Sequence, residues 1–189
     1  MRFINFPVVV PGAGDNLSGS YFMLAVAKYL HEEGVDVKNT EIVFLNTGSE
    51  EASLRGAKAY VKKHISELKK IPSMYIALDT FRDKDHLAVI EKDLNATCQH
   101  ELKVIKLVLQ AGKNINIPLK TQNTYIGSTD ATAFTQAGIS ATAIEAMDPG
   151  PAREYHTRHD SWETLGSESI EDGMKIMLEV IRLYDENGL

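Results

Sequence analysis

Short apolar runs alternating with amphipathic stretches constrain the fold of this chain more than any other feature. Residues 41–47 (EIVFLNT) and 74–81 (MYIALDTF) are β-rich and apolar on both faces, which is typical of strands buried in a sheet. Residues 16–33 and 54–70 have the spacing of amphipathic helices. Strands separated by helices of this length predict a parallel or mixed sheet covered on both faces.

The second half of the chain continues the pattern. It predicts further helices at 101–111, 132–137 and 170–184, and strands at 86–91 and 141–145. The run at 86–91 is expected to lie beside the strand at 74–81. We therefore expect one α/β domain over residues 1–189, a three-layer α/β/α arrangement with a mixed, mostly parallel sheet.

Composition narrows the classes of function. A net charge of −6 without a Lys/Arg run gives no basis for binding nucleic acid or an anionic membrane. No apolar stretch approaches the about 20 residues of a membrane-spanning helix. The apolar opening at residues 3–10 lacks the cleavage site of a signal peptide, so we interpret it as part of the fold. The single cysteine, Cys98, is typical of a reducing compartment, and we expect a cytoplasmic protein.

Acidic side chains recur where a predicted strand ends or a helix begins. Asp15 precedes the first helix, and Asp79 lies near the end of the second strand. Glu50 and Glu51 follow the first strand, while His156 follows the last strand after a Pro/Gly-rich loop. The carboxyl ends of strands form the ligand crevice of open α/β sheets, so these five side chains are expected to meet there.

Carboxylates gathered in this way need a counter-charge. Two of them about 4 Å apart repel by about 4 kcal/mol at an effective dielectric of about 20, which is large against a typical domain stability of about 5–15 kcal/mol. A divalent cation removes the conflict, and mixed carboxylate and imidazole ligands suit catalytic Zn²⁺. In the pair Glu50-Glu51, one carboxylate can bind the metal while its neighbour takes a proton from the attacking water.

Five motifs in chain order carry a family resemblance. They are GAGDNLSG at 12–19, GSEE with LRGA at 48–57, YIALD at 75–79, STD at 128–130 and YHTRHD at 155–160. Over residues 11–165 the sequence resembles the aminopeptidase Y family of di-zinc exopeptidases. The resemblance implies removal of the N-terminal residue from a peptide substrate, although some members of that family are carboxypeptidases or glutaminyl cyclases.

The resemblance also implies roles for the five residues. Asp15 would bridge two zinc ions, Glu51 and His156 would complete one metal site, and Asp79 would belong to the other. Glu50 would be the general base that activates water and then protonates the leaving amine.

Three further assignments are looser. The resemblance places Asp130 and Tyr155 beside the ligands or in the substrate pocket, which residues 147–154 are expected to border. His159 is an alternative to His156 as the ligand, and its place in the YHTRHD motif favours His156.

The sequence departs from the family pattern ahead of Asp15. The family supplies a histidine to the second metal site from an upstream His-x-Asp motif, where this chain has Phe-Ile-Asn at residues 3–5. We therefore expect one firmly bound zinc and a weak second site at Asp79. The family's first strands are absent as well, which predicts an uncovered sheet edge or apolar face and association into a homo-oligomer.

Two other interpretations remain open at this stage. The chain can be a non-catalytic peptide-binding or scaffold domain of the same fold, or an inactive fragment of a longer enzyme. Scaffold members usually lose the carboxylates and the base, whereas all five residues are retained here. The sequence therefore favours a zinc metallo-aminopeptidase.

Overall fold

Five strands, five α-helices and two short 3-10 helices (Lys84–His86 and Trp162–Thr164) lie in the part of the chain that the computed structural model describes, residues 9–125, 127–148, 150 and 153–189. The strands are β1 (Met74–Phe81), β2 (Leu87–Asp93), β3 (Cys98–Gln99), β4 (Lys120–Thr124) and β5 (Ser140–Ala146). The helices are α1 (Gly19–Glu32), α2 (Arg55–Leu68), α3 (Leu102–Asn114), α4 (Ala131–Gln136) and α5 (Glu168–Asn187). An irregular helical segment, Ala13–Ser18, leads directly into α1.

The five strands form one mixed sheet in the order β1-β5-β2-β3, with β4 also paired to β2. β1 runs parallel to β5 and β2 runs parallel to β4, whereas β2 is antiparallel to both β5 and β3. The run predicted at 86–91 is therefore a strand, but β5 lies between it and β1. The expectation that it lies beside the strand at 74–81 was wrong, because the neighbour of β1 is β5, with which it forms seven residue pairs.

Helices cover both faces of the sheet, as the sequence predicted. One face packs against α1, α3 and α5 through side chains that are fully buried or nearly so: Phe22, Val26, Ile105, Val108, Ile176 and Val180. The other face packs against α2 and α4 through Ala57, Val61 and Phe134. A fully buried side chain of this size contributes about 1.5–3 kcal/mol, so the two cores hold the helical layers on the sheet.

Residues 41–47 do not form the predicted strand. The segment has no strand assignment, and Val43 and Phe44 are 59% and 40% exposed. Leu45 packs against the core beneath α2 and α4. A β-rich run becomes a strand only where a neighbour supplies backbone partners, and among the described strands β1 pairs only with β5.

None of the described helices is long and apolar enough to cross a membrane. The apolar opening at residues 3–10 lies largely outside the described residues, as do residues 3–5, where the family's His-x-Asp motif was compared.

Candidate metal centre

Three of the predicted ligands lie together at one edge of the sheet. His156 Nε2 is 3.0 Å from Asp15 Oδ2 and 2.5 Å from Glu51 Oε1. One ligand atom from each of the three residues lies within 4.8 Å of the other two. Tetrahedral ligands about 2.0–2.1 Å from a Zn²⁺ ion lie about 3.3 Å from one another. The two contacts of His156 are shorter and are those of an ion pair, and small side-chain movements would open this nitrogen and two carboxylate oxygens to the spacing of a zinc site.

The segment that carries Asp15 is turned away from helical geometry. Asp15 has φ −111° and ψ 97°, inside a segment that otherwise begins the helical run. Gly12 precedes it in the left-handed region at φ 68°, which glycine adopts without steric cost. This local break lets Asp15 lie beside His156 rather than along the axis of α1.

Asn16 joins this segment to the end of β1. Its Nδ2 donates to the carbonyl of Leu78 at 2.8 Å, and its Oδ1 accepts from the backbone N–H of Thr80 at 3.3 Å. Leu78 and Thr80 flank Asp79, so one side chain ties the backbone next to Asp15 to the backbone on both sides of Asp79. The same Oδ1 also accepts from the N–H of Gly19 at 3.1 Å, which fixes the start of α1.

Asp79 lies beside the centre but outside the group of three. It is opposite Glu145 of β5, and Thr80 Oγ1 donates to its Oδ1 at 3.0 Å. Burial raises the pKa of Asp79 to about 6, and the negative charges of Asp130 and Glu51 add to the increase. The charge of Asp79 in turn acts on Asp15.

Burial and neighbouring negative charges raise the pKa of Asp15 and of Glu50. Burial is the main cause for Asp15, whose pKa rises to about 7 with further contributions from Asp79 and Glu51 and a smaller opposing effect from His156. Glu50 is half-buried, and burial together with the charges of Asp79 and Glu51 raises its pKa to about 8. The clustered carboxylates create a negative electrostatic potential that makes their own ionisation unfavourable, and a bound cation would offset it.

The residues with looser assignments also lie near the centre. The ring of Tyr155 stacks on that of His156, with centroids 3.9 Å apart and planes inclined by 19°. Asp130 is 7% exposed and accepts a hydrogen bond from Thr47 Oγ1, while burial raises its pKa. His159 does not belong to the group of three ligands among the described residues.

A cavity of about 350 Å³ adjoins Tyr155. Four members of the predicted pocket-bordering segment line it: Met147, Asp148, Arg153 and Glu154. Pro149, Pro151 and Ala152 of that segment lie outside the described residues.

Glu145, which no sequence motif singled out, lies near the end of β5 and is 4% exposed. Burial raises its pKa well above the ordinary value, and the charges of Asp79 and Asp93 act in the same direction. Thr124 Oγ1 donates to its Oε1 at 3.2 Å. A carboxylate inside an apolar strand was the available signal, the same one that singled out Asp79.

Comparison with known proteins identifies the family. Residues 5–181 match the model of Peptidase family M28, and the chain belongs to that family. No curated protein sequence matches it significantly.

Solved structures share the fold. A zinc aminopeptidase from Bacillus subtilis is 27% identical with a TM-score of 0.75, over 94% of this chain and 43% of that one. An aminopeptidase from Aneurinibacillus sp. strain AM-1 is 24% identical with a TM-score of 0.72, over 93% and 40%. LapB from Legionella pneumophila is 20% identical with a TM-score of 0.82, over 94% and 48%. The chain thus spans less than half the length of these three proteins.

Proposed function

We propose that this chain carries the catalytic centre of a zinc-dependent aminopeptidase of the aminopeptidase Y type, which removes the N-terminal residue of a peptide. The observation that carries the proposal is the convergence of Asp15, Glu51 and His156, with ligand atoms within 4.8 Å of one another. Membership of Peptidase family M28 and the 27% identity to a zinc aminopeptidase support it.

The donor set fits zinc. His156 offers an imidazole nitrogen, and Asp15 and Glu51 offer carboxylate oxygens, which together form the mixed ligand set of a catalytic zinc site. The raised pKa of Asp15 shows that this group is electrostatically unfavourable when ionised without a cation. When bound, zinc would supply Lewis acidity toward the scissile carbonyl and toward water.

Glu50 is the proposed general base. Its carboxylate is next to the ligand Glu51 in the chain, and its pKa of about 8 lies near neutrality. A carboxylate with such a pKa can accept a proton from water that the metal would acidify, and can return it to the leaving amine, since neither transfer would then be strongly uphill. A positive charge at the ligand group would lower this pKa and favour the ionised, proton-accepting form.

One zinc ion per chain is proposed to bind firmly, with a weak second site. Asp79 is the proposed ligand of that second site, and it lies outside the three-ligand group of the described residues. Its pKa of about 6 is that of a buried carboxyl without a strong positive partner.

Hydrolysis of aminoacyl-nitroanilides tests the function. The purified chain is assayed with and without added zinc beside Glu50→Gln, and zinc is counted in the same samples. Glu50→Gln is expected to lower kcat by about 10²–10⁴-fold while zinc content stays the same. Glu41→Gln, at an exposed position, is the matched control and should leave kcat unchanged.

Three results would count against these proposals. Full activity in Glu50→Gln would remove the assigned base. Two tightly held zinc ions per chain would contradict the weak second site. Bound zinc without hydrolysis of any aminoacyl substrate would favour a peptide-binding scaffold or a piece of a longer enzyme, which the coverage of less than half of the related structures also allows.

The remaining proposals concern location and partners. The single cysteine supports a cytoplasmic location, and the net charge of −6 supports a protein that binds neither nucleic acid nor membranes. Exposed Val43 and Phe44 support association with a second copy of the chain.

A further inference from the structure

Asp160 binds the backbone of the segment that carries Asp15. Its side chain is 1% exposed, its Oδ1 accepts from the N–H of Gly14 at 2.7 Å, and its Oδ2 accepts from the N–H of Asp15 at 3.0 Å. The backbone carbonyl of Asp160 accepts from the N–H of Ala13 at 3.1 Å. Three consecutive peptide groups leading to Asp15 are thus held by one residue.

Arg82 holds Asp160 in turn. Its Nη2 forms an ion pair with Asp160 Oδ1, and its Nη1 donates to Thr164 Oγ1 at 2.9 Å. The backbone N–H of Arg82 donates to the carbonyl of Ala146 at 3.0 Å, which fixes Arg82 at the ends of β1 and β5. A buried carboxylate needs such a charged partner, and an Arg ion pair with both groups largely buried supplies it.

Asp160 also closes the loop that carries His156. The N–H of Asp160 donates to the carbonyl of Thr157 at 3.1 Å, and Thr157 binds the carbonyl of Glu154 through its N–H at 2.9 Å and its Oγ1 at 2.7 Å. His156 lies between these turns with φ 58°. Asp160 therefore connects two ligands that are far apart in the sequence, Asp15 and His156.

The packing around Gly14 shows how closely these groups meet. A Cβ atom at Gly14 would lie 2.7 Å from Arg82 Nη2 and 2.9 Å from Asp160 Oδ1. A side chain at residue 14 would therefore displace Arg82 or Asp160 and disturb their ion pair.

From these contacts we infer that Asp160, held by Arg82, is a positioning residue that sets the distance between Asp15 and His156 and thereby the affinity of the metal centre. In the described part of the chain its side chain accepts hydrogen bonds from the backbone of Gly14 and Asp15 and not from a ligand side chain. Its own backbone binds Ala13 and Thr157. The inference rests on the proposed zinc centre, but it concerns zinc binding and not the identity of the substrate.

Zinc affinity of Asp160→Asn tests the inference. The amide keeps the size of the side chain but loses the charge and places NH₂ against an N–H or guanidinium donor. Competition with a chromogenic chelator is expected to show zinc binding about 10–100-fold weaker. At saturating zinc, kcat is expected to fall while KM changes little.

Asp93→Asn is the matched control. Asp93 is also fully buried, and it accepts from the backbone N–H of Thr129 at 2.9 Å and from two threonine hydroxyls. Its loss should lower the thermal unfolding midpoint while zinc affinity stays within about twofold of the unmodified chain. A structural defect alone moves the midpoint, whereas a positioning role moves zinc affinity as well.

Arg82→Lys is the second variant, since it keeps the charge but cannot reach both Asp160 and Thr164 with a guanidinium fork. It is expected to weaken zinc binding by an intermediate factor, and it keeps the test usable if Asp160→Asn does not fold. Wild-type zinc affinity in both folded variants would overturn the inference, as would an equal loss in Asp93→Asn. A chain that hydrolyses no peptide but shows these zinc affinities keeps the inference and contradicts the proposed function.

Discussion

Carboxylates crowded at the edge of the sheet are protonated more easily in the folded chain than in the unfolded one. Burial and mutual repulsion raise the pKa of Asp15 to about 7 and of Glu50 to about 8, against ordinary values of about 4. Between pH about 4 and pH about 8, these two groups therefore bind more protons in the folded state than in the unfolded state. Asp15 and Glu50 therefore contribute a free energy of unfolding that falls as pH rises from about 4 to about 8.

This predicts an unusual pH response of the zinc-free protein. After chelation, the thermal unfolding midpoint is expected to be higher at pH 5 than at pH 8, and zinc should stabilise most at pH 8, where its ligands are deprotonated. Differential scanning fluorimetry across this range measures both effects. Glu50→Gln removes one of the shifted groups and should flatten the zinc-free profile. A zinc-free midpoint that rises between pH 5 and pH 8 would contradict the assignment.

The helices of this chain follow from its local sequence pattern, whereas the strands depend on their pairing partners. The predicted helices are all present with ends shifted by a few residues, because amphipathic spacing is a local property of the chain. The strands behaved differently. The β-rich residues 41–47 stay unpaired within the described structure, while β4, with the polar sequence KTQNT, pairs with β2. No local pattern marked β4, because its partner supplies the hydrogen bonds that make it a strand.

Gly173 of α5 packs so closely against β1 and α1 that a larger residue there is expected to destabilise the fold. A Cβ at Gly173 would lie 2.7 Å from a ring carbon of Phe81 and 2.8 Å from a ring carbon of Phe22. These two rings pack edge to face, with their centroids 4.8 Å apart. Gly173→Ala should therefore destabilise the fold by about 1–3 kcal/mol through overpacking, despite the better helix propensity of alanine. Urea unfolding measures this loss. Glu171→Ala, exposed on the same helix, should cause little change, and equal stability of Gly173→Ala would show that the rings move freely.

For the whole molecule, the chain spans less than half the length of three related structures and leaves apolar side chains of residues 41–47 exposed. Exposed apolar side chains favour association. The proposed partner is a second copy of the chain.

Self-association is therefore expected to depend on this segment. Light scattering at micromolar concentration should give a mass above 20.9 kDa for the chain, and Val43→Ser with Phe44→Ser should lower it. Trp162→Ser is the matched control, because Trp162 is 76% exposed elsewhere on the surface. A monomer mass for the unmodified chain would contradict the prediction.

Residue type and short-range spacing are enough to predict the positions of the helices, the α/β class and the chemical identity of the candidate ligands. The distances among those ligands depend on contacts between segments far apart in the sequence. The fold brings Asp15 and Glu51 to His156 and leaves Asp79 outside that group. It also joined Gly14 to Asp160 across 146 residues of sequence. Hydrogen bonds between distant segments carry no local signature, so no pattern in the chain could have shown which backbone groups Asp160 holds.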